Sequence, residues 1–199
     1  MRIEVVKAFL SKEECDLLNQ WVNVGIISGW LDKGHHFQNS PTHMRTRFTD
    51  TRLTTRMYGQ RFNTPPEILA ISKKVRCFVG VDTYPLVFGE GKDGIVVSCT
   101  FSGGKLLDHV DLRKYHDLAI LRCNVLTQKP EVGGILHIEG KPVETEVGDL
   151  HCYLASEHAH NVSTVGGNTP RIMWMFGACV PSEAWNNNTI KFGGNHELS

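Results

Sequence analysis

No two of the six cysteines form a C-x-x-C pair: Cys15, Cys77, Cys99, Cys123, Cys152 and Cys179 are scattered, which excludes a locally built zinc knuckle or thioredoxin-type motif. They read as reduced, mostly buried thiols, because free cysteine packs as a small hydrophobe. An excess of charge is missing too. Lys plus Arg and Asp plus Glu both number 21, so neither a nucleic-acid backbone nor an anionic membrane is favoured as a partner. The sequence has no run of about 18 apolar residues to span a bilayer. The opening Met1-Arg-Ile-Glu-Val-Val-Lys7 breaks with Glu4 and Lys7 the apolar stretch that a signal peptide needs. The expectation is a cytoplasmic protein in which the acceptor triplets at Asn161 and Asn187 are chance matches. No internal repeat, low-complexity tract or catalytic Ser or Cys motif is evident.

What is present suits one domain of residues 1–199, with a helical part over about 1–93 and a β-rich core over about 94–180. Ser11-Lys-Glu-Glu14 reads as a capping box behind the staple residue Leu10, predicting a helix over 12–23. Thr64-Pro-Pro-Glu67 repeats the device ahead of Ile68, Leu69, Ile71, Val75 and Phe78, predicting a helix over 65–79 that ends at Gly80. Residues 31–63 between them are polar and rich in Arg, Thr, His and Asn, which fits either a lid over a site or a solvated loop with an exposed strand. From residue 94 short β-rich runs follow: 94–101, 118–126, 133–139, 143–147, 149–155, 160–165 and 171–180. This spacing predicts a double-sheet antiparallel jelly roll with the helices packed on one sheet, then a polar tail from about 181, loose at its end.

Ten histidines are many for this length. His109-Val-Asp111 follows the first β run, and residues i and i+2 of an extended segment project to one side. Two ligands leave a first-row metal under-coordinated, and His160 heads a later strand. Two His and one carboxylate make a facial triad with three positions open, as non-haem Fe(II) oxygenases require. Arg171 opens a strand, Arg171-Ile-Met-Trp-Met-Phe-Gly177, that is apolar on both faces, and a buried guanidinium needs an anion. If 160–165 and 171–180 form a hairpin, Arg171 lies about 13–16 Å along the backbone from His160 at ~3.3 Å per residue. Leaning side chains would shorten that gap to suit a five-carbon diacid. An ion pair with a protein carboxylate is the other reading of Arg171.

His109-x-Asp111, His160 and Arg171 together resemble the prolyl-hydroxylase-like branch of the Fe(II)/2-oxoglutarate-dependent dioxygenases. So do Gly94-Ile-Val-Val-Ser-Cys-Thr-Phe-Ser-Gly-Gly-Lys-Leu-Leu-Asp-His109, Asn124-Val-Leu-Thr-Gln-Lys-Pro-Glu-Val-Gly-Gly-Ile-Leu136 and the opening Val5–Cys15 segment. The resemblance covers about residues 5–24 and 64–180. It departs at Phe101, where many members carry Tyr, and at Arg171, where many prolyl 4-hydroxylases carry Lys. His151 and His158 neighbour His160 and read as structural or solvent-facing, Ser156-Glu-His158-Ala being a polar turn. Arg122 and Asn124 break an apolar strand and share a face, lining either the active site or the outer surface. Arg113, Tyr115 and His116 lie on the loop after the first two ligands, within reach of substrate or merely solvated.

The resemblance implies Fe(II), 2-oxoglutarate and dioxygen as the reacting set, with ascorbate as a reductant. It implies hydroxylation of a C–H bond with release of succinate and carbon dioxide, in a cavity lined in part by Met173 and Met175. For substrate it implies a prolyl residue in a peptide or protein, with a free amino acid or other small molecule as the alternative. A nucleic-acid demethylase would carry a second Arg six residues after Arg171, where Gly177 stands. From another class, a non-enzymatic jelly-roll metal- or ligand-binding module is the competing reading, and a closed zinc site there needs a fourth protein ligand. The oligomeric state stays open.

Overall fold

Ser11 starts the first helix as its sequence demands: its backbone N–H donates to Glu14 Oε2 at 2.8 Å, and the Glu14 N–H donates back to Ser11 Oγ at 3.2 Å. The computed structural model describes residues 1–27, 32–33, 52–55, 64–87, 93–113 and 115–193. In chain order these form β1 (Glu4–Val6), α1 (Lys12–Ile27), β2 (Asp32–Lys33), β3 (Arg52–Thr55), α2 (Pro66–Val79), β4 (Ile95–Thr100), β5 (Leu106–His109) and β6 (Ala119–Gln128). Then come β7 (Val132–Gly133), β8 (Leu136–Ile138), β9 (Lys141–Val143), β10 (Leu150–Leu154), β11 (His160–Val162), β12 (Val165–Gly166), β13 (Arg171–Val180) and α3 (Ser182–Asn186). Helix α1 runs one turn past 23 because Gly25 is buried within it rather than ending it. Thr64 does not cap α2: its hydroxyl donates to Asp93 at 2.6 Å, and the helix starts on Pro66 without a side-chain cap. Gly80 closes α2 in the left-handed region at φ 78°.

The major sheet has the order β1-β10-β6-β13-β4-β3-β2, the minor sheet β5-β11-β8-β9, and β12 pairs with β7. Alternation decides which face of the major sheet each residue takes. Ile95, Val97, Leu121, Cys123, Val125, Leu150, Cys152, Ile172, Trp174 and Phe176 pack with Leu18, Val22, Ile68 and Val75 of the helices in one core. The intervening residues face the minor sheet, where Tyr153 and Ala155 meet Leu136, Ile138, Val143 and Val162. All six thiols are free and five are buried. Among the described residues no helix is long and apolar enough to cross a membrane.

Four sequence expectations change. The run 133–139 is broken after Gly133, because Gly133 and Gly134 both take positive φ. The expected strand 143–147 lies instead at Lys141–Val143, folded back on β8 by the two-residue turn Glu139-Gly140 (φ 50° and 72°), with Pro142 tolerated on an edge strand. Strands 160–165 and 171–180 do not form a hairpin. β11 pairs with β5 and β8, while β13 lies between β6 and β4 in the other sheet. The Gly166–Pro170 segment is therefore a crossover, its Asn168 N–H and Thr169 hydroxyl held by the Glu131 carboxylate. A strand apolar on both faces needs cover on both, which a central place between helices and minor sheet provides. The tail past 180 begins with α3, whose Trp185 is fully buried and donates its indole N–H to Arg2 O at 3.2 Å. The tail's end, 194–199, and the lid reading of 31–63, apart from β2 and β3, lie outside the described residues.

Candidate metal centre

His109 ends β5 and His160 begins β11, and the two are direct partners in the ladder with ring centroids 4.2 Å apart. Asp111 follows two residues after His109, its backbone N–H anchored on Ala155 O at 2.9 Å just past β10. One ligand atom from each of the three lies within 4.8 Å of the others, and no other such group of three occurs among the described residues. The His109 Nε2 to Asp111 Oδ1 distance is 3.6 Å. Donors ~2.1 Å from a shared ion stand about 3–4 Å apart, so this donor set fits a first-row divalent metal.

Each donor is oriented from behind. His109 Nδ1 is 2.7 Å from Leu107 O and His160 Nδ1 is 3.1 Å from His158 O. A carbonyl only accepts, so both rings carry their proton on Nδ1 and turn the Nε2 lone pair toward Asp111. Burial and then His109 push the His160 pKa down to about 4, keeping that lone pair available. Arg122 Nε donates to Asp111 Oδ2 at 2.8 Å, and Nη2 stands 2.6 Å from the same oxygen. Burial alone would raise the Asp111 carboxyl; the Arg122 guanidinium more than offsets it and holds it well below the usual carboxylate range.

Arg171 reaches the same inter-sheet space from the major sheet, on the face of β13 opposite Ile172 and Trp174. It is 5% exposed, and Nε donates to Gly134 O at 2.8 Å. Glycine is required at 134: the backbone takes φ 66°, and a Cβ would stand 2.6 Å from Pro130 Cγ and 3.0 Å from Arg171 Cδ. Burial pushes the Arg171 pKa down to about 10, which leaves it cationic. Among the described residues no carboxylate pairs with it. The protein-ion-pair reading therefore finds no partner there.

Arg122 and Asn124 face inward, since Leu121, Cys123 and Val125 occupy the helix side. Asn124 is buried, and its Oδ1 has no hydrogen-bond partner among the described residues. Met173 is buried and Met175 half-buried on the inner face of β13. Arg113 pairs with Glu157, which also accepts from the Ser182 hydroxyl, and Tyr115 and His116 are exposed. His158 sits on the turn behind His160, 3.7 Å from Glu139. Tyr153, edge-on to His160 at 5.3 Å and kept neutral by burial, belongs to the site and escaped the sequence reading. Its signal was the alternation in Leu150-His-Cys-Tyr-Leu154, which sets His151 and Tyr153 on one face.

No protein-family model and none of the curated proteins matches this chain. Solved structures do match. A prolyl-4-hydroxylase from Pseudomonas putida superposes with TM-score 0.61 at 16% identity, covering 90% of this chain and 92% of that one. The chain has the prolyl 4-hydroxylase fold. The viral collagen prolyl hydroxylase of Paramecium bursaria Chlorella virus-1, in complex with 2-oxoglutarate, gives TM-score 0.60 at 18% identity over 90% and 97% of the two chains. A Trichoplax adhaerens prolyl hydroxylase, in complex with a peptide of the hypoxia inducible factor oxygen degradation domain, gives 0.60 at 18% over 87% and 83%. Within this fold, Phe101 packs against the helix-side core, so here it is Tyr153 that brings a phenol beside the histidines.

His151 is fully buried with both ring nitrogens lacking a partner among the described residues, and burial followed by the Arg171 charge pushes its pKa down to about 3. The folded chain thus holds it neutral while the unfolded chain protonates it below about pH 6.5. Its contribution to stability is full above that pH and is lost as pH falls toward 3, amounting to ~1.4 kcal/mol by about pH 5.5. His151→Leu is expected to leave stability nearly unchanged at about pH 7.5 and to remove this part of the acid sensitivity. Urea unfolding of both proteins at the two pH values checks it; parallel losses would assign the titration to another group.

Proposed function

We propose that this chain is a single-domain Fe(II)- and 2-oxoglutarate-dependent oxygenase that hydroxylates a prolyl residue in a peptide or protein. His109, Asp111 and His160 hold the iron and Arg171 holds the far carboxylate of the co-substrate. One observation carries the reading: a three-donor group and a buried guanidinium without a carboxylate partner among the described residues face the same inter-sheet space. When bound, iron with 2-oxoglutarate and dioxygen supplies the oxidation of C–H to C–OH, releasing succinate and carbon dioxide. The chain's own share is orientation. Leu107 O, His158 O and Arg122 fix the three donors, Arg171 offers a fork that matches a carboxylate bidentately, and Met173 and Met175 help keep the space dry.

The prolyl substrate is supported by the hydroxylases that share the fold, one of them bound to a peptide. Against a nucleic-acid demethylase stands position 177, where a Cβ would lie 2.9 Å from Val87 Cγ2 and 3.0 Å from Leu121 O, so a second Arg has no room. Against a closed zinc module stands the lack of a fourth donor beside the three among the described residues. Purified protein given Fe(II), ascorbate and 2-oxoglutarate is expected to release succinate above blank when proline-containing peptides are added. Stimulation by free amino acids alone would replace the peptide with a small molecule. Absence of succinate under all conditions, together with tight zinc retention, would make the chain a binding module.

A further inference from the structure

Arg122 meets Asp111 at one oxygen. Nε at 2.8 Å and Nη2 at 2.6 Å converge on Asp111 Oδ2, while Oδ1 is the oxygen turned to His109 Nε2 at 3.6 Å. Forked pairing to a carboxylate ordinarily uses both oxygens. Here the second oxygen is left to the metal side. The fold supplies the room: on β6, Arg122 stands in register between Tyr153 of β10 and Gly177 of β13, and the glycine contributes no side chain to that face. Arg122 is only 8% exposed, so its charge acts on the centre with little screening.

We propose that Arg122 is a positioning residue that confines Asp111 to one-oxygen ligation and cancels its charge. The proposal rests on the metal reading above. A carboxylate free to swing both oxygens onto an ion would fill a fourth position, whereas a held one keeps three open for a chelating co-substrate and dioxygen. With Asp111 balanced by Arg122, the loaded centre keeps the full positive charge of the ion, which favours a dianionic chelator over water.

The test uses the full chain loaded with Co(II) or Ni(II) under argon, with no turnover. Arg122→Met is expected to change the Co(II) visible spectrum, as Asp111 closes onto the ion. It should also weaken metal binding roughly 10–100-fold, as loss of an outer partner does elsewhere, and weaken 2-oxoglutarate binding to the Ni(II) form by calorimetry. Arg122→Lys restores the charge without the fork, so co-substrate affinity should recover while the spectrum stays altered. An unchanged spectrum and unchanged 2-oxoglutarate affinity in folded Arg122→Met would overturn the proposal. Should that variant not fold, Arg122→Gln gives the same two readouts. If the wild-type chain binds neither Co(II) nor Ni(II), the metal reading itself fails, which separates the two outcomes.

Discussion

Asp111→Ala is expected to end succinate formation and, in the same step, to destabilise the metal-free fold by roughly 3–5 kcal/mol. The first effect follows from removing the only carboxylate of the three-donor group. The second follows from the company that carboxylate keeps. Asp111 answers a guanidinium that is 8% exposed, and deleting one partner of a buried pair leaves the other charge uncompensated. The two effects are separable. Asp111→Ala combined with Arg122→Met removes both charges and should recover most of the lost stability while recovering no activity. Urea midpoints for the wild type, the two single variants and the double variant close a thermodynamic cycle, and succinate release is measured on the same four proteins. Additive destabilisation would show that the pair does not interact as drawn. Activity surviving in Asp111→Ala would show that the ion is held elsewhere.

The sequence makes legible what depends on local periodicity and spacing. His109-x-Asp111 needs only an extended backbone to place two donors on one side, and the two-sided apolarity of 171–180 announces a central strand. The capping box at Ser11 is visible because both of its partners lie within four residues. Illegible is what depends on which sheet a strand joins. The Gly-Gly-Asn-Thr-Pro run looks like a tight turn, yet Gly166 is taken by Val132 and the next residues by the Glu131 carboxylate, so the chain crosses instead of doubling back. His160 and Arg171 thus stand in two different layers, which no reckoning along one hairpin describes. The grip of Arg122 on Asp111 joins residues eleven apart across a loop, and its geometry emerges only once β6 and β10 are in register. The turn at Glu139-Gly140 was hidden because Glu rarely takes positive φ.

Arg171→Met is expected to act with opposite signs on function and on stability. Truncating a buried, charge-assisted partner of a carboxylate costs about 2–5 kcal/mol, so the KM for 2-oxoglutarate should rise between roughly thirtyfold and a few thousandfold. The kcat at saturating co-substrate should change less, because the reacting end of the diacid lies at the metal. Arg171→Lys should fall between the two proteins, since an ammonium returns the charge but not the planar fork. Stability moves the other way. In the co-substrate-free chain this guanidinium is 5% exposed with Gly134 O as its hydrogen-bond acceptor and no carboxylate partner among the described residues. A thioether of similar length sheds that desolvation cost. Arg171→Met should therefore match or exceed the wild type in urea midpoint, and only the wild type should gain further when 2-oxoglutarate is added. Were Arg171 instead the cation of a structural ion pair, the same substitution would strand a buried carboxylate and lower the midpoint. The sign of the shift thus separates a residue kept for a ligand from one kept for the fold.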